Sequence, residues 1–61
     1  MEKFIIALNK IDKAELDENN FKFVIDDVIG DKIAYIYEND KELVEKLKDK
    51  NKFLFSNLLF I

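Results

Sequence analysis

The chain has no cysteine, histidine, proline, tryptophan or arginine, and its one glycine is Gly30. Without cysteine or histidine it can form no disulfide, no zinc site with thiolate or imidazole ligands, and no thiol or imidazole nucleophile or base. Without arginine it lacks the planar fork that grips phosphates and guanine edges. We therefore predict no cofactor, no metal, no catalytic residue, no enzymatic activity and no direct nucleic-acid partner.

The length and the apolar content together predict a partner. A chain of 61 residues is predicted to form one compact domain over residues 1–61, and a domain of this size buries only about 60% of the surface that its unfolded chain exposes. Yet 49% of the residues are hydrophobic. We therefore expect some apolar surface to contact another protein or a second copy of the chain.

The apolar runs are too short for a membrane protein. The closing run, Phe53–Ile61, has nine residues, whereas a membrane-spanning helix needs about 20. The run Phe4–Leu8 is shorter than the apolar region of a secretory signal. These lengths predict no membrane partner and a cytoplasmic location. The lysine- and asparagine-rich acidic composition resembles that of small proteins of phages and mobile elements.

Three stretches have the composition of β-strands: Phe4–Leu8, Phe21–Ile25 and Ile33–Tyr37. The first is continuously apolar, which is typical of a strand covered on both faces. The other two flank Gly30 and predict a hairpin. A two-residue turn, Gly30-Asp31, and a three-residue turn, Gly30–Lys32, are both conceivable. We predict the second, because it places these side chains on one face: Phe21, Phe23, Ile25, Ile33, Tyr35 and Tyr37.

Two helix-capping signals differ in strength. Asp12 with Glu15 resembles a capping box and predicts one short helical turn. Asn39–Glu42 is a stronger start signal, because Leu43, Val44 and Leu47 follow it at helical spacing. The main helix is therefore predicted over residues 40–50.

The closing run predicts the last strand. A strand, a helix and a further strand form a crossover, which should make the last strand parallel to the one ending near Tyr37. Its continuous apolar residues predict a central position in the sheet. The fold class is then α+β: a small mixed sheet of about four strands, in the order strand, short turn or helix, hairpin, helix, C-terminal strand. One main helix packs on one face, and the other face is left uncovered.

One short motif resembles that of a known family. Asn9-Lys10-Ile11-Asp12 follows an apolar strand and resembles the NKxD motif of small GTPases, which implies that Asn9 and Asp12 would contact a guanine ring. The resemblance covers about nine residues. A phosphate-binding loop needs two glycines, and the chain has one. We therefore predict no nucleotide site.

The acidic residues and the single serine are predicted to serve no catalysis. Asp26 and Asp27 are neighbours on a strand, so they should point to opposite faces and cannot share one ion. The cluster Glu15, Asp17 and Glu18 lacks the pattern of a calcium loop. Carboxylate chemistry with a divalent cation is the enzymatic alternative. Ser56 has no histidine or cysteine to activate it.

The function predicted from these features is protein binding. We expect a small acidic, non-enzymatic module that inhibits or regulates a larger protein, with nucleic-acid-binding proteins as one candidate class. The alternative is a structural homodimer joined through the uncovered sheet face. Tyr35 and Tyr37 are favoured as core residues over base-stacking residues. The predicted partner-binding residues are Asp26, Asp27, Tyr35, Tyr37, Glu38, Phe55 and Phe60.

Overall fold

A computed structural model describes residues 2–58 of the chain. The elements of this part of the chain, in order, are β1 (Phe4–Ala7), α1 (Lys10–Glu18), β2 (Phe23–Ile29), β3 (Lys32–Glu38), α2 (Lys41–Val44), the 3₁₀ helix Lys50–Lys52 and β4 (Leu54–Ser56). The four strands form one sheet in the order β2-β3-β1-β4. The two α-helices and the short 3₁₀ helix connect them. The predicted α+β class is confirmed, and every hydrogen-bonded strand pair is antiparallel rather than mixed.

The longest helix lies early in the chain. Asn9 is its N-cap, because the Asn9 side chain accepts a hydrogen bond from the Asp12 backbone N–H at 2.8 Å. At the other end Asn20 adopts a positive φ of 68°. The Phe21 N–H then donates to the Leu16 carbonyl, which is the hydrogen bond of a Schellman cap. The prediction of only one turn starting at Asp12 was therefore too short.

The predicted main helix over residues 40–50 is wrong. The N-cap at Asp40 is present, but α2 ends at Val44. A helix through residue 50 is also interrupted by a second cap signal within the predicted span: the Asp49 side chain accepts from the Asn51 backbone N–H at 3.0 Å, and the Asp49 φ of −140° is extended. An aspartate that binds nearby backbone in this way competes with helix continuation.

The hairpin uses the two-residue turn, and the predicted three-residue turn is wrong. Ile29 is paired with Lys32, which leaves Gly30 and Asp31 as the turn. Gly30 has a φ of +62°, as a type II′ turn requires at its first central position. The register shifts between Phe23 and Ile25. Because of this shift Phe23 is paired with Tyr37, and the two rings pack edge to face with their centroids 5.3 Å apart.

The last strand lies at an edge of the sheet, so its predicted central position is wrong. β4 pairs with β1, and β1 also pairs with β3. Because both pairings are antiparallel, β3 and β4 run in the same direction, as the crossover predicted. The central strands are β1 and β3. In β1 the side chains of Ile5, Ile6 and Ala7 are all buried, which confirms a strand covered on both faces.

The two faces of the sheet are packed differently. The helix face carries Ile5, Ala7, Tyr35 and Tyr37, which pack with residues from the helices and connections: Leu16, Phe21, Leu43, Val44, Leu47 and Phe53. The back face carries a smaller cluster of Ile6, Ala34 and Ile36, with Phe4 against it. The side chains of Ile6, Ala34 and Ile36 are at most 1% exposed. The centre of the back face is thus not the exposed apolar surface that we expected.

Candidate protein-interaction surface

The exposed apolar residues of the sheet are concentrated in the hairpin. We define the hairpin surface as Phe23, Ile25, Val28, Ile29 and Ile33. Val28 is 68% exposed, Ile25 45% and Ile33 41%. All but one of the β2 side chains are exposed, although branched and aromatic residues of this kind are usually half-buried in a sheet. The edge strand β2 therefore lies largely outside the part of the sheet that the helices cover.

The hairpin surface has apolar groups on both faces of the sheet. Val28 is paired with Ile33, and both lie on the helix face because Ile33 is two residues from Tyr35. Ile25 and Ile29 lie on the back face, since Ile25 is paired with the buried Ile36. A partner could therefore contact apolar side chains above, below and beside β2.

Asp26 and Asp27 lie in the middle of β2. They are paired with Tyr35 and Ala34 respectively, so their side chains point to opposite faces, as predicted from the strand alternation. Within residues 2–58 neither carboxylate forms a salt bridge. Asp27 accepts a hydrogen bond from the Val28 backbone N–H at 2.9 Å. The hairpin surface thus carries two negative charges without a cationic partner in the described part of the chain.

The two tyrosines predicted for partner binding are core residues. Tyr37 has no exposed surface and Tyr35 is 8% exposed, which confirms the interpretation of this stripe as core. The Tyr37 hydroxyl donates to the Asp17 carboxylate. Burial and that hydrogen bond raise the pKa of the Tyr37 hydroxyl above its usual value.

The other predicted contact residues lie away from the hairpin surface. Glu38 is exposed at the opposite end of β3 and is paired with Phe4. Phe55 is half-buried on β4 and packs against the core of the helix face. Phe60 lies outside the described residues. The structure therefore brings Asp26 and Asp27 together with Val28 and Ile33. Neither apolar residue was a predicted contact residue, because the predicted strand ended at Ile25, before Val28, and Ile33 was assigned to the core face.

Several carboxylates outside β2 have structural partners. Asp12 accepts from the Asn9 side-chain amide at 3.1 Å, so the two residues of the GTPase-like motif bind each other and begin α1. The Lys13 ammonium, 2.8 Å from Asp17, holds the pKa of that carboxyl below its usual value, with a further contribution from Tyr37. Ser56 Oγ accepts from the Leu58 N–H at 2.9 Å, which is a local turn contact.

Glu15 joins α1 to the segment that precedes β4. Its carboxylate accepts from Lys52 Nζ at 2.8 Å and from the Lys48 backbone N–H at 3.2 Å. The Lys52 hydrogen bond is the largest of the causes that lower the pKa of Glu15. Lys52 Nζ also lies 3.3 Å from Asp12. In residues 2–58, no group of three or more potential ligands is placed to hold a metal ion.

Comparisons with protein-family models, with curated proteins and with solved structures found no match. None of the helices in the described part of the chain has the length and apolar character needed to cross a membrane. The chain has a small α+β fold, in which an antiparallel sheet carries an exposed hairpin with two adjacent aspartates.

Proposed function

We propose that this chain is a non-enzymatic protein-binding domain that regulates or inhibits a larger protein in the cytoplasm. The observation that carries the proposal is the hairpin surface, where exposed branched side chains surround two carboxylates that form no salt bridge within residues 2–58. Apolar patches with a polar rim are typical of protein-interaction sites. Several acidic residues elsewhere act in helix caps and ion pairs, among them Asp40, Asp17 and Glu15, whereas the two carboxylates of β2 lie among exposed apolar side chains.

The proposal assigns the binding energy to the apolar groups and the specificity to the carboxylates. Burial of apolar surface is the dominant favourable contribution to most protein–protein association. Charged groups in an interface mainly select the partner and speed its association. A positively charged surface on the larger protein is therefore the complement that we expect for the hairpin.

The test compares hairpin variants with a matched variant elsewhere. The double variant Val28→Gln/Ile33→Gln removes two exposed apolar groups of the hairpin surface. Ile11→Gln removes one that is 80% exposed on α1. Each protein is immobilised and exposed to an extract of the cells that encode it. Circular dichroism and thermal unfolding first establish that all three proteins are folded.

We expect the wild type and Ile11→Gln to retain the same protein, and the hairpin double variant to lose it. The retained protein is then purified and its affinity for all three chains is measured by calorimetry. Equal affinity for the wild type and the hairpin double variant would contradict the proposed surface. Failure of any protein to be retained through the hairpin would contradict the proposed function.

A further inference from the structure

The backbone of β2 has a free edge. β2 is the first strand in the order of the sheet and pairs with β3; among residues 2–58 no strand borders its other side. The Val28 N–H donates to the Asp27 side chain instead of to β3. Since residues two apart in an antiparallel strand orient their backbone groups alike, the backbone groups of Asp26 also point to the free edge.

An edge with unpaired backbone groups is a template for another strand. Strand addition obtains affinity from main-chain hydrogen bonds and specificity from the alternating side chains. Along β2 those side chains are Ile25, Asp26, Asp27 and Val28. An incoming strand with two adjacent basic residues would place one cation on each face, next to Asp26 and Asp27. Apolar residues on either side of the two cations would contact Ile25 and Val28.

A second copy of β2 is a poor occupant of the same edge. Two copies of β2 that pair symmetrically and antiparallel over most of their length have the centre of the pairing near Asp26 and Asp27. Each aspartate of one copy then lies opposite or next to an aspartate of the other copy. Like charges directly opposite each other destabilise a strand pair. Charge complementarity therefore favours a basic strand over self-pairing.

We propose that the free edge of β2 accepts an extended basic segment of the partner protein as a fifth strand, with adjacent cations of that segment at Asp26 and Asp27. This inference rests on the proposed function and specifies how the partner is bound. The Asp27 carboxylate exchanges its hydrogen bond with the Val28 N–H for the incoming cation, which releases that N–H to the new strand.

The probe is a capped peptide, Thr-Thr-Val-Lys-Lys-Val-Thr-Thr, whose central pattern reads the same in either strand direction. The control peptide replaces both lysines with glutamate. A third peptide replaces both valines with proline, which removes two backbone donors and disfavours strand pairing. Each is titrated into the ¹⁵N-labelled wild-type protein, and amide chemical shifts are followed by NMR.

We expect the lysine peptide to cause saturable shifts centred on Asp26 and Val28, and the other two peptides to bind far more weakly. The variant Asp26→Asn/Asp27→Asn keeps hydrogen-bonding oxygens and should bind the lysine peptide roughly three- to tenfold more weakly, because two exposed charge pairs are lost. Equal binding of the lysine and glutamate peptides, or shifts located away from β2, would overturn the inference.

The two proposals fail separately. If the lysine peptide does not bind at β2 while a natural partner is still lost in Val28→Gln/Ile33→Gln, strand addition is wrong and the hairpin surface stands. If no protein depends on Val28 and Ile33 but the lysine peptide binds as expected, the edge accepts basic strands and the assignment of the apolar surface is wrong.

Discussion

Asn9 and Asp12 form the residue pair with the clearest structural role. Asn9 accepts from the Asp12 N–H, and its amide donates to the Asp12 carboxylate. Their spacing also matches a guanine-binding motif, because a helix cap and that motif both place a short polar side chain three residues before an acidic one. The helix that follows gives the capping role its physical basis.

We predict that Asn9→Ala lowers the free energy of unfolding by about 1 kcal/mol, the usual cost of a lost N-cap. The matched variant Asn9→Ser keeps a capping oxygen and should retain most of the stability. Urea unfolding followed by far-ultraviolet circular dichroism measures both. An Asn9→Ala midpoint equal to that of the wild type would show that α1 does not depend on this cap.

At the scale of the elements, Glu15 is the main polar link between α1 and the segment containing Lys48 and Lys52. Its pKa is lowered in the folded protein from the ordinary value of 4.5. A lowered carboxyl pKa contributes stability above the unfolded-state value, and that stability is lost as the pH falls through the folded-state value. The link between Glu15 and the lysines should therefore weaken as the pH falls below about 4.5, the usual pKa of glutamate, because the carboxylate becomes protonated.

We predict that Glu15→Gln is less stable than the wild type at pH 7 and that the difference narrows at pH 3. The variant removes one of the carboxyls with a lowered pKa and leaves Asp17, whose pKa is also lowered, so its own pH dependence is reduced but not abolished. Urea midpoints at the two pH values test this. A stability difference of the same size at both would exclude protonation of Glu15 as the cause.

The elements also differ in how far the sequence predicted them. Phe4–Leu8 and Ile33–Tyr37 correspond closely to β1 and β3, because apolar runs covered on both faces have few alternatives. The hairpin register was not predictable, since Gly30 permits two turn lengths and the irregularity near Val24 has no sequence signal. Phe53–Ile61 suggested a central strand, but Phe53 is buried before β4 begins, so part of the run fills the core from a connection.

The sequence predicted only part of the candidate site. Asp26 and Asp27 stood out as adjacent acids, and strand alternation alone placed them on opposite faces. Val28 and Ile33 were missed, because their exposure depends on how far the hairpin extends past α1 and α2. The sequence shows that these residues are apolar. The lengths of the covering elements decide whether they are buried.

At the scale of the whole molecule, the interior is small and stability has little reserve. A chain of 61 residues is expected to have an unfolding free energy of roughly 3–9 kcal/mol, at about 0.05–0.15 kcal/mol per residue. Without disulfides, the core on the helix face and the buried cluster Ile6, Ala34 and Ile36 must supply it. The exposed residues of the hairpin contribute little to that core, which is consistent with their proposed role in binding.

We predict that the chain binds another protein and does not self-associate. The buried back-face cluster offers no open apolar centre for a copy, and the carboxylates of Asp26 and Asp27 repel those of a symmetry-related β2. The predicted solution species is a monomer whose hairpin is free for a basic partner.

The most direct measurement is the solution mass of the wild-type chain by light scattering, over a concentration series from micromolar to millimolar. We predict the monomer mass of 7.3 kDa throughout, including at low salt, where repulsion between the carboxylates is strongest. A stable dimer that is lost in Val28→Gln/Ile33→Gln would contradict the account, because the hairpin would then be covered by a second copy of the chain.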